Sequence, residues 1–143
     1  IDAIAGILAG ITGYASNVHT AREWPLKEAD LPALRVLAGD EDIEAQTVHY
    51  PHVEQHDLQI VIEGRVKATT NLDDAMNAQA ALVLTKLYAA PAKATLDALG
   101  VRAMQTGRIE RRMAKEGEAV LGACDITLAV RFLTLCNAPE VLV

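Results

Sequence analysis

The sequence predicts an α+β fold: a small sheet, antiparallel or mixed, with helices packed on one face and a long C-terminal β-hairpin. Three observations predict it. Between Asp57 and Ala68, Leu58, Ile60, Ile62 and Val66 share one parity, and Asp57, Gln59, Glu63, Arg65 and Lys67 share the other, with Val61 the exception. Side chains alternate across a strand, so this run carries one apolar and one polar face. Between Leu72 and Tyr88, Leu72, Met76, Ala80, Val83 and Leu87 recur at helical spacing, which supplies a cover for the dry face. Finally, two extended runs, Ala103–Met113 and Val120–Leu135, flank Ala114–Glu118. That segment reads as a hairpin connection with Gly117 at a positive-φ position.

The chain has 143 residues, a length that suits one domain over 1–143 with its own core. Hydrophobic residues make up 51% and aromatics only 3%, so the core is built from Ala, Leu, Val and Ile. The net charge of -6 argues against a dominant surface for nucleic-acid phosphates. Ile1 to Ile11 is apolar, but it carries Asp2 and no basic residue. It is also shorter than the roughly 20 residues a membrane helix needs. Neither a membrane span nor a signal peptide is expected. Cys124 and Cys136 lie 12 positions apart on one apparent strand, about 40 Å at strand rise, far beyond disulfide reach. Free thiols in a reducing cytoplasm follow.

The elements are read in order. Ile1, Ile4, Leu8, Ile11 and Ala15 predict a helix over Ile1–Val18, with Asp2, Gly6, Gly10 and Gly13 on its opposite side. Arg22–Leu34 contains Pro25 and Pro32 and reads as a connector. A strand over Ala33–Ala38 ends at an acidic turn, Gly39–Asp42, and Glu44–Tyr50 is a second strand. Gly64 marks a bulge or a close approach within the amphipathic strand. Asn71 caps the next helix, with acids in its first turn, and Leu82 points away from its apolar stripe. Pro91 stops that helix, and Thr95–Leu99 adds a further turn or two before Gly100. In the last run Cys124, Ile126, Leu128, Val130 and Phe132 face one way, and Asp125, Thr127 and Arg131 the other.

The residues that could carry chemistry are few. Ala-Gly-Ile-Leu-Ala-Gly-Ile-Thr-Gly near the start lacks the Lys-Ser/Thr ending of a phosphate loop. Ser16 is the only serine and no Gly-x-Ser-x-Gly elbow occurs. The acidic pairs Asp40/Asp42 and Asp73/Asp74 have no neighbours that would tune them for acid–base work. His49, His52 and His56 have a spacing that could serve zinc, so a small His-based metal-binding module is one alternative. Pro51, however, breaks any helix that would align them. Arg108, Arg111 and Arg112 are interspersed with Glu110, Glu116 and Glu118, a pattern that favours a salt-bridged hairpin or a subunit contact over a phosphate site. Reversing the charge at Arg111 and Arg112 is expected to disturb assembly and spare the fold. The expectation is a structural protein, not an enzyme, with no catalytic, cofactor or metal residues.

Several segments resemble the phage tail terminator (minor tail protein U-like) family. They are Val18 through Glu41, with Arg22, Trp24-Pro-Leu26, Leu31-Pro-Ala-Leu34 and Gly39-Asp-Glu41, then Ile109 through Glu118, Gly122, and Thr127 through Thr134. The resemblance implies a homohexameric ring at the head-proximal end of the virion tail, assembled in the host cytoplasm. Such a ring caps the tail tube, stops its polymerisation and offers a surface to the head-side connector. DNA passes through the lumen without specific binding, and no membrane or cofactor is involved. On this resemblance the subunit and tube contacts fall at Arg22, Trp24, Leu26, Asp40, Glu41, Arg108, Arg111, Arg112, Glu116 and Glu118. A head–tail connector, neck or tube subunit would also form rings and is the nearest alternative.

Overall fold

The structure is a computed structural model and describes residues 1–14, 17–20, 31–68, 70–116 and 119–142. In chain order the elements are α1 (Asp2–Ala9), β1 (Val18–His19), β2 (Ala33–Ala45), β3 (Val53–Ala68), α2 (Leu72–Leu87), α3 (Ala90–Ala98), β4 (Ala103–Glu116), β5 (Ala119–Leu135) and β6 (Ala138–Leu142). The strands run β1-β2-β3-β5-β4, and β6 pairs with the end of β5. β1 is parallel to β2 and every other pairing is antiparallel, so the sheet is mixed. It curls into a half-barrel.

The alternation along β3 works as its sequence implies. Ile60, Ile62 and Val66 are buried, while Gln59 and Lys67 are exposed. β3 pairs in continuous register with β5, Ile60 opposite Leu128 and Ile62 opposite Ile126, which doubles the apolar face without any new pattern. α2 lays Leu72, Met76, Ala80, Val83 and Leu87 into the same core, joined by Ile4 and Leu8 of α1 and Leu96 of α3. The Leu, Ile, Val and Met side chains among these each contribute roughly 1.5–3 kcal/mol when fully removed from water.

Gly64 shows why the cover fits so closely. It sits in regular register between Leu34 and Cys124, so it is no bulge. A Cβ there would lie 2.2 Å from Gln79 Oε1 and 2.8 Å from Gln79 Cδ. Gln79, buried on α2, uses that space to bring its Nε2 to 3.2 Å from Tyr14 Oη and 3.3 Å from both the Ala33 and Arg65 carbonyl oxygens. Three acceptors around one nitrogen fix the amide orientation. One side chain thus ties the N-terminal segment and two strands together. Burial pushes the Tyr14 phenol up, against the lowering pull of its Gln79 bond.

Other expectations need correction. The first helix ends at Ala9, not Val18: Gly10 caps it and Gly13 takes a left-handed φ of 91°, which glycine adopts without strain. Ile11 and Tyr14 stay buried beyond it. Gly39–Asp42 is not a turn. β2 runs through it to Ala45, with one extra residue between Ala38 and Glu41 forming a bulge. Of Glu44–Tyr50 only Glu44 and Ala45 are strand. Asn71 does precede α2, but in a left-handed conformation and without a side-chain cap bond. Pro91 lies in the first turn of α3, where its missing N–H is no loss. β4 and β5 extend to Glu116 and from Ala119, so the connection narrows to 117–118, and Gly117 falls outside the described residues. Cys136 lies in the turn after β5, not on it, and both cysteines are free.

Candidate assembly surfaces

The face of the sheet away from the helices carries a charged row running across four strands. Arg35 Nε on β2 donates to Glu63 Oε2 on β3 at 2.8 Å, and Arg65 Nη1 on β3 donates to Asp125 Oδ1 on β5 at 3.0 Å. Arg112 on β4 also bonds Asp125, and Arg65 approaches Glu63 at 3.8 Å. Signs alternate along Arg35, Glu63, Arg65, Asp125 and Arg112, so each charge neutralises the next. Arg35 and Asp125 are 9% and 8% exposed, which is deep for charges on an uncovered sheet face. Cross-strand pairs of this kind contribute roughly 0.2–1 kcal/mol each.

Past the bulge the outer strand β2 and the loop after it form an exposed arm, while β3 beside it stays paired with β5 as far as Val53 opposite Leu135. Residues 38–51 are all exposed. Ile43, Val48 and Tyr50 are large apolar residues among them. The arm holds its shape through main-chain pairing: Gln46 N–H donates to the Val53 carbonyl at 2.7 Å, and Val53 N–H donates to Thr47 Oγ1 at 2.9 Å. The bulge turns Glu41 and Ile43 toward the helix side, opposite Leu58 and His56, and leaves Asp42 opposite Asp57 on the other side. Like charges opposed across strands repel. Arg131 answers for Asp57, with Nε to Oδ1 at 2.8 Å and Nη2 to Oδ2 at 3.2 Å. That forked bond holds the Asp57 carboxyl below the ordinary aspartate value. Asp40, Asp42 and Glu44 make no ion pair among the described residues.

His56 pins the arm to the core. Its Nδ1 lies 2.9 Å from Glu41 Oε1 and its Nε2 lies 2.8 Å from Thr134 Oγ1. The ring stacks on Phe132, with centroids 4.7 Å apart. One tautomer satisfies all three groups: Nδ1–H donates to Glu41 and Nε2 accepts the Thr134 hydroxyl. A carboxylate–imidazole–hydroxyl row is also how hydroxyl nucleophiles are activated. Here Thr134 is 0% exposed, so no substrate carbon can reach its oxygen, and the row serves as a fastener. The three histidines do not converge. His49 is exposed on the loop, His52 pairs with Glu54 at 3.0 Å, and among the described residues no three His, Cys, Asp or Glu side chains group as metal ligands. The apolar hollow of about 260 Å3 between α1, α3 and the sheet, bordered by Leu58, Val130 and Phe132, is lined by no polar side chain.

At the opposite edge of the sheet a second bulge, at Gly107, separates the arginines. Arg108 stands opposite Thr127 and Arg112 opposite Ala123, on the polar face; Arg111 stands opposite Cys124, on the helix side. Arg108 pairs with Glu110. Arg111 is exposed and makes no ion pair among the described residues. It lowers the Cys124 thiol, but burial outweighs it and pushes that thiol up. Arg111 and Arg112 are therefore not equivalent. Arg112 neutralises the buried Asp125, so reversing it would damage the sheet as well as any contact. Glu116 ends β4 opposite Ala119. Arg22, Trp24, Leu26 and Glu118 lie outside the described residues. Of the expected contact residues, the structure thus puts Asp40 and Glu41 on one edge of the sheet and Arg108, Arg111 and Arg112 on the other. The cross-sheet charged row and the His56 fastener escaped sequence reading, because both depend on register between strands distant in sequence.

No protein-family model matches the chain, and no curated protein does. Among the solved structures that the chain is similar to, the virion of a native gene transfer agent particle aligns over 90% of this chain and 84% of that one, at 17% identity and a TM-score of 0.35. A likeness at that level leaves the function to be argued from the residues themselves.

Proposed function

We propose that this chain is a structural virion protein, not an enzyme: a ring-forming tail terminator that caps the tail tube of a long-tailed phage or phage-like particle. Its partners are other copies of itself, in a homohexamer, the tail tube protein below and the head-side connector above. DNA passes through the lumen unread, and the net charge of -6 discourages it from sticking.

The observation that carries this reading is the one-sided cover of the sheet. Helices dry one face, while the arm beyond Ala38 is exposed on both of its own faces. An outer strand with no cover and an open edge gains little in a monomer. It gains a great deal if a neighbour covers it. The segments that resemble tail terminators, Val18 through Glu41 and Ile109 through Glu118, include the base of this arm and most of the β4 edge.

The test is mass measurement and negative-stain imaging of the purified chain, alone and mixed with tube protein. Rings of uniform size that sit on tube ends are expected. Incorporation along the tube would mark a tube subunit instead. A monomer at high concentration in both samples would remove the ring reading altogether.

A further inference from the structure

The two outer edges of the sheet differ in charge. The arm segment Gly39–Pro51 carries Asp40, Glu41, Asp42 and Glu44 and no Lys or Arg. β4 carries Arg108, Arg111, Arg112 and Lys115 against Glu110 and Glu116. Both edges are open. β1 covers β2 only at Leu34 and Arg35, and β4 closes the strand order on its side, among the described residues. Each edge also presents an exposed apolar side chain on its helix side, Ile43 at 56% and Met113 at 63% exposure.

Open edges invite pairing, and charge decides with what. Two arms brought together oppose acid to acid, and two β4 edges oppose arginine to arginine. Both isologous dimers are therefore disfavoured. Only arm against β4 brings opposite signs together, and that contact uses different surfaces on the two copies. A heterologous contact of this kind repeats head to tail and closes into a ring when the rotation permits.

We propose that the acidic β2 arm of one copy docks on the arginine-bearing β4 edge of the next, so that charge asymmetry between the two edges of one sheet selects ring assembly over dimerisation. On the polar face Asp42 and Glu44 meet the side of β4 that carries Arg108 and Arg112, and on the helix side Glu41 and Ile43 meet Arg111 and Met113. The inference rests on the ring reading and specifies which surfaces make the ring.

Charge exchange tests it. D42K/E44K and R108E/R111E are prepared separately, and sedimentation velocity reads the assembly. Each variant alone should associate about tenfold or more weakly than wild type, the scale of lost charge pairs at an interface. An equimolar mixture should recover rings of wild-type mass, because the basic arm of one variant finds the acidic edge of the other. The four substitutions in one chain should likewise restore self-association. The neutral set D42N/E44Q disturbs the fold least and should weaken assembly while removing most of its salt dependence.

If wild type forms rings and the neutral and reversed sets leave them unchanged, the edge assignment is wrong although the ring reading stands. If the reversed sets abolish assembly and neither the mixture nor the combined chain restores it, the two edges do not meet and the proposal falls. A wild-type chain that stays monomeric, alone and with tube protein, overturns the ring reading itself.

Discussion

β3 crosses two environments within one strand. From Leu58 to Val66 the even positions lie under α2 and beside β5, dry on one side and charged on the other. At its other end its partner β2 has passed the Ala38–Glu41 bulge, and both faces of that partner are wet. The same alternation that builds a core between Leu58 and Val66 borders an exposed outer strand between Val53 and Asp57. Periodicity sets which side chains share a face; whether a helix covers that face sets what the face is for. Stability should therefore concentrate in the covered half and assembly in the uncovered one.

The largest effect expected is at the covered half. Ile60→Ala should lower unfolding free energy by about 2–5 kcal/mol in a urea titration, through lost burial and the cavity left behind. Ile43→Ala, on the arm, should stay within about 0.5 kcal/mol. Comparable losses at both sites would erase the distinction between the halves. Next comes Gly64→Ala, expected to cost about 1–3 kcal/mol because a methyl there meets the Gln79 amide at 2.2 Å. Gly107→Ala, with only the Thr127 oxygen at 3.6 Å, should be close to neutral. A neutral Gly64→Ala would mean that Gln79 can swing away, and with it the tie to Tyr14.

A smaller effect separates the arginines. Arg112→Ala should cost about 1 kcal/mol in the unassembled chain, since it leaves Asp125 with Arg65 alone. Arg111→Ala should leave monomer stability unchanged and act only on association. Equal melting temperatures for the two would place Arg112 outside the charged row. The smallest effect is a pH dependence. Arg131 depresses the Asp57 pKa in the folded state. The stabilisation so gained is present above the unfolded-state pKa, about 3.9, and is lost as pH falls through the lower folded value. Asp57→Asn should thus lower the melting temperature at pH 7, and the gap from wild type should close below about pH 4. A gap that persists in acid would show that Asp57 matters for packing instead of charge.

Much of the fold was legible because parity and helical spacing are local. The dry face of β3, the α2 stripe with Leu82 outside it, and the facing of Cys124 through Val130 all follow from neighbours in sequence. What escaped depends on single extra residues and on distant partners. A run of three acids after a glycine reads as a solvated turn, yet at Asp40–Asp42 main-chain pairing to β3 keeps it extended. Gly10 and Gly13 end a helix whose apolar spacing continues through Ile11, since backbone conformation there outweighs pattern. The pairing of His56 with Glu41 and Thr134 joins residues up to 78 positions apart, and only the sheet order brings them together. Arg111 and Arg112 read as one cluster because adjacency in sequence hides that neighbours on a strand point opposite ways.

The bulge at Gly107 has a consequence for how such an edge could change over time. It contributes one unpaired residue to β4, and every side chain after it owes its facing to that single unit of slack. Drawing Gly107 into the ladder would slide the remainder of the strand by one position, carrying Arg108 and Arg112 to the helix side and Arg111 to the other, whereas deleting it would join Thr106 to Arg108 in regular register and leave every facing as it is. The margin of the sheet can therefore lose that one codon and still present the same side chains to the same neighbour.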